Sequence, residues 1–281
     1  MKPLAPSPQN TPALHRRHWL AFGVASAGAA GLATSGTNAA TDKVATASLP
    51  LTAQATEGPY YFDAGKVRAD ITEGLAGVPL EVRFTVMDAS AAPLPNMRVD
   101  IWHCNAAGLY SGYAGQGDQR STSTKGSSFL RGTLITGADG MAAFRSIYPG
   151  WYEGRTTHIH FKVLSGARTL LTSQFFLPDA LSEFLYTSLP DYRRTHLRET
   201  LNRNDGIALM AGSTVLGAVR EEADRYVAML NVVVDPLARQ LAGRPPVPGE
   251  GPPPGAGGPG RGKALTAAER LAALVPGKPK N

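Results

Sequence analysis

Two of the six histidines stand one residue apart in THIHFKV, residues 157–163. On a strand, residues i and i+2 project from one face, so His158 and His160 point together while Ile159, Phe161 and Val163 point the other way. Two imidazoles so placed can bind one ion, and zinc, copper and iron all accept them; a pair of surface histidines is the other reading. A zinc hydrolase would want a third histidine or a carboxylate with a general base, and this neighbourhood supplies neither. It supplies phenols instead: Tyr110 in VDIWHCNAAGLYSGY, residues 99–113, and Tyr148 and Tyr152 in YPGWYEGRTTHIHF, residues 148–161, which also carries Arg155.

Short alternating runs must position these side chains. In PLEVRFTVMD, Leu80, Val82, Phe84 and Val86 fall on one face and Glu81, Arg83 and Thr85 on the other, the pattern of a half-buried strand. Similar runs follow at Met97–Trp102, Ala142–Ile147, His158–Val163 and Leu171–Leu177, with turn signals such as Ala138-Asp139-Gly140 between them. Their spacing predicts an all-β fold, a sandwich of mainly antiparallel strands with a few short helices, over residues 51–242. The expected helices are Asp179–Ser188 and Tyr192–Leu201.

Composition narrows the function classes. The chain has a pI near 9.5, but residues 1–40 carry a net +3 and residues 243–281 a net +4, which leaves the middle at −1. The basic charge belongs to the ends, so no nucleic-acid surface is expected. Cys104 is the one cysteine, which excludes an intrachain disulfide and suits a buried spectator. No apolar run is long enough for a stable membrane span. Arg16-Arg17, a weakly apolar Ala/Gly-rich run and small residues near Ala40 form an export leader over 1–40 that resembles a twin-arginine signal, which implies a periplasmic or extracellular protein. Fifteen of the 21 residues in 243–263 are Gly or Pro, the composition of a disordered linker. Thr266 and Glu269 form a capping-box pattern in the 264–281 tail, where a frayed end is expected rather than a docked helix.

Several motifs in order carry a resemblance: EGPYY at 57–61, VDIWH followed by Gly108-Leu109-Tyr110, Asp139-Gly140, FRSI-x-PG-x-Y ending at Tyr152, and Arg155-x-x-His158-x-His160. Together they resemble the intradiol ring-cleavage dioxygenases, the family of catechol 1,2-dioxygenase and protocatechuate 3,4-dioxygenase, in a secreted form. The resemblance implies that Fe(III) is held by Tyr110, Tyr152, His158 and His160. The family's second tyrosine follows a Pro-Gly turn by two residues, which fits Tyr152 and not Tyr148. Arg155 matches an arginine that stabilises negative charge building on the substrate ring, and Gln174 in LTSQFF matches a glutamine behind the ligands. Tyr60 and Tyr61 are candidates for the pocket wall. Only five residues separate Tyr152 from His158, where the relatives carry a longer loop.

The implied ligand set balances charge. A phenol with a pKa of ~10 is neutral in water, but a trivalent cation favours phenolate. Two phenolates and one hydroxide neutralise Fe(III), and hard oxygen donors favour the ferric state. The substrate is then what is activated: a catechol displaces hydroxide and the Tyr152 phenolate, gives each a proton, and is cleaved by O2 between its two oxygenated carbons to a muconate-type diacid. The expected partners are a small aromatic diol and O2, and the helix-mediated dimer of the catechol dioxygenases is not assumed. The rivals are a non-catalytic β-sandwich binding module and a copper or zinc His-x-His protein with structural tyrosines.

Overall fold

The computed structural model describes residues 48–117, 119–238, 265–275 and 277. The expected leader at 1–40 and the Pro/Gly-rich 243–263 lie outside the described residues. Among the described residues, eight strands form two four-stranded sheets. The first, ordered β4-β1-β8-β7, comprises β1 (Pro79–Met87), β4 (Met141–Ile147), β7 (Ala218–Glu221) and β8 (Tyr226–Val233). The second, ordered β3-β2-β5-β6, comprises β2 (Arg98–Trp102), β3 (Arg131–Ile135), β5 (His158–Ser165) and β6 (Arg168–Phe176). Every pairing is antiparallel except β1 with β8. All five strands expected from alternation are present; β3, β7 and β8 were not anticipated.

The core lies between the sheets, where apolar alternation delivers it. Val82 and Phe84 of β1, Phe144 of β4 and Val232 of β8 meet Ile159, Phe161 and Val163 of β5 and Phe175 of β6, all of them fully buried. The Phe84 and Phe161 rings stand 4.8 Å apart. Each such side chain contributes about 1.5–3 kcal/mol by leaving water. His158 and His160 are buried too, on the opposite face of β5. That outer face, roofed by the chain around residues 56–62, is where polar groups collect.

Helix α1 (Asp179–Ser188) forms as expected. The expected helix at Tyr192–Leu201 does not. After a 3-10 turn at Pro190–Tyr192 the chain runs irregularly, because its large side chains are anchored elsewhere. Tyr192 Oη donates to the Tyr148 carbonyl at 2.8 Å, and buried Arg198 pairs with Asp179 at 3.0 Å; such tertiary anchors outweigh helix propensity. Helix α2 (Gly206–Ala211), capped by Asp205, was not anticipated. The frayed-tail expectation is also corrected. Helix α3 (Ala267–Leu274) carries the full Thr266/Glu269 capping box and docks by ion pairing, with Arg270 Nη2 2.6 Å from Glu183 Oε1. No helix among the described residues is long and apolar enough to cross a membrane.

Candidate metal centre

β5 presents His158 and His160 side by side, with their Nε2 atoms 3.1 Å apart. Two tyrosines from separate loops complete the group. Tyr152 Oη lies 3.1 Å and Tyr110 Oη 3.3 Å from His158 Nε2. The loops approach because their backbones touch: a Cβ on Gly150 would lie 2.1 Å from the Ala106 carbonyl oxygen, and one on Gly108 would lie 2.2 Å from that of Trp151. Only glycine permits this approach, so the Pro149-Gly150 turn and the Gly108 turn bring Tyr152 and Tyr110 together. The five-residue connection from Tyr152 to His158 is long enough for both to reach one point. Tyr110 is held by its own backbone, with its N–H donating to Gln116 Oε1 at 2.7 Å and its carbonyl accepting from Thr124 Oγ1 at 2.6 Å.

The four donor atoms fit a metal ion. Donors at about 2.0–2.1 Å from one ion, subtending about 90–110°, stand roughly 2.9–3.4 Å apart, which matches the spacing here. His158 Nδ1 lies 2.7 Å from the Thr156 carbonyl, so it is the protonated nitrogen and Nε2 carries the lone pair. One lone pair cannot serve three polar groups at 3.1–3.3 Å; a central cation satisfies all four at once. Burial disfavours charge on each of these groups. It raises the Tyr110 phenol well above its ordinary value and raises that of Tyr152 against the pull of Arg155. It also lowers both histidines, with Arg155 adding to the effect on His158. Among the described residues no group of three or more His, Cys, Asp and Glu could hold an ion, so a metal site here must recruit the tyrosines.

Arg155 stands beside this centre, its Nε 2.8 Å from Asp205 Oδ2 and its Nη2 2.6 Å from Gln174 Oε1. Gln174 is cross-strand from His160 and donates to the Thr56 carbonyl at 2.8 Å, so it joins the roof to the sheet. Tyr60 stacks on Tyr110 with centroids 4.4 Å apart. Tyr61 does not share that stack; its hydroxyl donates to Asp100 at 2.9 Å and its ring lies against Trp102. Tyr148 is away from the centre, its hydroxyl 2.8 Å from Ser182 Oγ. His103 has both ring nitrogens engaged, by the Cys104 carbonyl and Ser146 Oγ, and burial lowers its pKa to about 4. Cys104 is buried, and burial pushes its thiol up to about 12, so it is inert. Asp205 escaped sequence reasoning: Asn204-Asp205-Gly206 signals a turn or cap, but nothing local points to an arginine fifty residues away.

A family model described as Dioxygenase matches residues 56–187, a span that contains all four donors, Arg155 and Gln174. The solved structure of an intradiol ring-cleavage dioxygenase from Tetranychus urticae superposes with a TM-score of 0.62 at 28% identity, over 68% of this chain and 97% of that one. Over residues 56–187 the chain thus has the sequence and the fold of an intradiol ring-cleavage dioxygenase domain. The chain is similar to a catechol 1,2-dioxygenase of Acinetobacter baylyi, 28% identical over 67% of this chain and 65% of that protein. It is also similar to a hydroxyquinol 1,2-dioxygenase of Nocardioides simplex, 30% identical over 44% of this chain and 47% of that protein. It thus spans less than two thirds of the length of either of these intradiol relatives.

Proposed function

We propose that this protein is a non-haem Fe(III) intradiol dioxygenase that cleaves catechol-type aromatics with O2 to muconate-type dicarboxylic acids. The observation that carries the reading is the approach of Tyr110 Oη, Tyr152 Oη and His160 Nε2 to within 3.1–3.3 Å of His158 Nε2. These four side chains would hold a ferric ion, which would supply the charge that favours ionisation of a bound catechol and the reaction of its ring with O2. The names of the relatives, which act on catechol and hydroxyquinol, support the substrate class.

The chain's own residues divide the remaining work. Tyr152, half-buried and linked to β5 by a short loop, would be the base that takes a proton from the incoming diol. Tyr110, buried and bonded on both sides of its peptide, stays. Arg155 keeps a permanent positive charge at the centre, aimed by Asp205 and Gln174, and stabilises the negative charge that grows on the substrate oxygens. Tyr60, flat on Tyr110, walls the pocket and keeps water from that phenolate. We further propose that the protein is exported, folded and loaded, by the twin-arginine route, on the strength of Arg16-Arg17 and the apolar run that follows.

The test is colour and oxygen together. Protein purified after expression with ample iron is expected to be red to burgundy from tyrosinate-to-iron charge transfer, to shift in colour when catechol is added, and to consume O2 with a catechol. A colourless, iron-free product would overturn the enzyme reading in favour of a binding module, and bound copper or zinc would favour the His-x-His rival. Export is tested by Arg16→Lys with Arg17→Lys, which should retain the protein in the cytoplasm; unchanged export would rule out the twin-arginine route.

A further inference from the structure

His158 and His160 share one face of β5 but not one kind of support. His158 Nδ1 meets the Thr156 carbonyl at 2.7 Å, which orients its ring, whereas His160 Nδ1 is buried without a hydrogen-bond partner among the described residues. A ligating histidine is ordinarily aimed by the bond its second nitrogen makes. His160 has no such anchor in the described protein, so its ring needs another constraint.

Strand register supplies one. Trp102 of β2 and Gln174 of β6 are the two residues directly cross-strand from His160, so the three side chains form a row on the outer face of the sheet. Gln174 has its amide engaged elsewhere, donating to the Thr56 carbonyl and accepting from Arg155. Trp102 is the neighbour that meets the ring: its indole stacks on the imidazole with centroids 4.9 Å apart and planes 11° from parallel. The indole is itself held, at 1% exposure and with the Tyr61 ring 4.7 Å away. Tyr61 in turn is fixed by its bond to Asp100 at 2.9 Å and by Lys162 Nζ 3.7 Å from its ring centre. Gly58 closes the far edge, where a Cβ would lie 3.2 Å from His160 Cε1.

Two physical effects follow from the stack. Turning the imidazole about Cβ–Cγ drives its edge into a close-packed indole, so Nε2 stays at its 3.1 Å approach to His158 Nε2. An imidazole that shares its lone pair with a cation also becomes electron-poor, and the electron-rich face of an indole favours that state more than a phenyl face does. An aliphatic side chain offers neither effect.

We propose that Trp102 is a positioning residue, which holds His160 in its ligating orientation in place of the hydrogen bond that His158 has and His160 lacks. The inference rests on the reading of these donors as a metal centre, and its first test needs no metal. In the iron-free protein, relaxation dispersion of the histidine ring carbons reports reorientation on the microsecond-to-millisecond scale, with His160→Gln assigning the signals. Trp102→Leu should set the His160 ring in exchange and leave His158 quiet; a His160 ring that stays quiet in the variant would overturn the proposal. The second test is removal of ferric ion from the loaded protein by citrate. Trp102→Leu should raise the ferric dissociation constant about tenfold, the low end for a residue behind a ligand, and Trp102→Phe, a milder change that also serves if Trp102→Leu does not fold, should raise it less. Phe84→Leu, which thins the core between the sheets, should lower the melting temperature without moving iron affinity. Unchanged affinity in both Trp102 variants, or an equal loss in Phe84→Leu, would overturn the proposal. A protein that takes up no iron defeats the dioxygenase reading, while the ring measurement still decides what orients His160.

Discussion

Arg155 donates from Nε to Asp205 Oδ2 at 2.8 Å, and the same carboxylate oxygen accepts the Thr156 N–H at 2.9 Å. The other oxygen of Asp205 caps helix α2 at Ile207 and Ala208. One residue therefore sets the aim of the arginine, the start of β5 and the first turn of a helix.

Asp205→Asn separates these roles, because asparagine still caps a helix but cannot balance Arg155. Removing one charge of a buried pair costs about 3 kcal/mol or more, so chemical denaturation at neutral pH should show a loss of that order, with kcat/KM falling as Arg155 loses its aim. Burial pushes the Asp205 carboxyl up, but Arg155 and the N–H donors more than offset this and hold it below its ordinary value. A carboxyl lowered by folding stabilises the protein above its unfolded pKa of ~3.9 and loses that contribution as pH falls through the folded value. The variant should therefore show a flatter decline in stability below about pH 4 than the wild type. An identical acid limb would show that the pair contributes nothing.

Tyr110→Phe and His160→Ala should each abolish colour and oxygen uptake together, since each removes a donor that no neighbour replaces. Tyr148→Phe should keep both. Its hydroxyl meets Ser182, which also donates to the Pro178 carbonyl at 2.9 Å, so the expected cost is about 1 kcal/mol of stability. Loss of colour in Tyr148→Phe would mean that the wrong tyrosine has been assigned.

Iron loading should release one proton from each of Tyr110 and Tyr152, a third from the water that becomes the bound hydroxide, and none from the histidines, because phenols bind a metal only as phenolates and neutral imidazoles bind as they stand. A pH-stat titration of the apoprotein with ferric ion, corrected for hydrolysis of the ion, counts them. Chelation should lower the melting temperature, since the ion binds only the folded arrangement. Loading without proton release would exclude tyrosinate ligation.

Arg270→Ala should free α3 from α1. Arg270 reaches both Glu183 and the Arg198 carbonyl, the latter at 2.6 Å, so hydrogen exchange in Ala267–Leu274 should lose its protection. The sandwich should lose no more than about 1 kcal/mol, as expected for a partly exposed pair. Unchanged protection would show that the helix is held by other contacts.

Much of this centre was legible in the linear order of residues. A strand has a period of two, so HIH alone puts both imidazoles on one face, and alternation at Leu80–Val86 gives the buried side of β1. Strand periodicity is a local property, fixed by the backbone within a few residues. The choice of Tyr152 over Tyr148 rests on the resemblance, in which a tyrosine follows a Pro-Gly turn by two residues; in the structure Tyr152 lies at His158 and Tyr148 at Ser182. Packing across elements decided the rest. Tyr192–Leu201 has a helical pattern, but Tyr192 and Arg198 bond to distant partners and hold the segment open. Asp205 lies fifty residues from the arginine it aims, and α3 docks through a glutamate 87 residues away. Trp102 meets His160 only through the register of β2 with β5. Charge pairing and desolvation depend on which surfaces meet, and that is a property of the folded chain, not of any segment of its sequence.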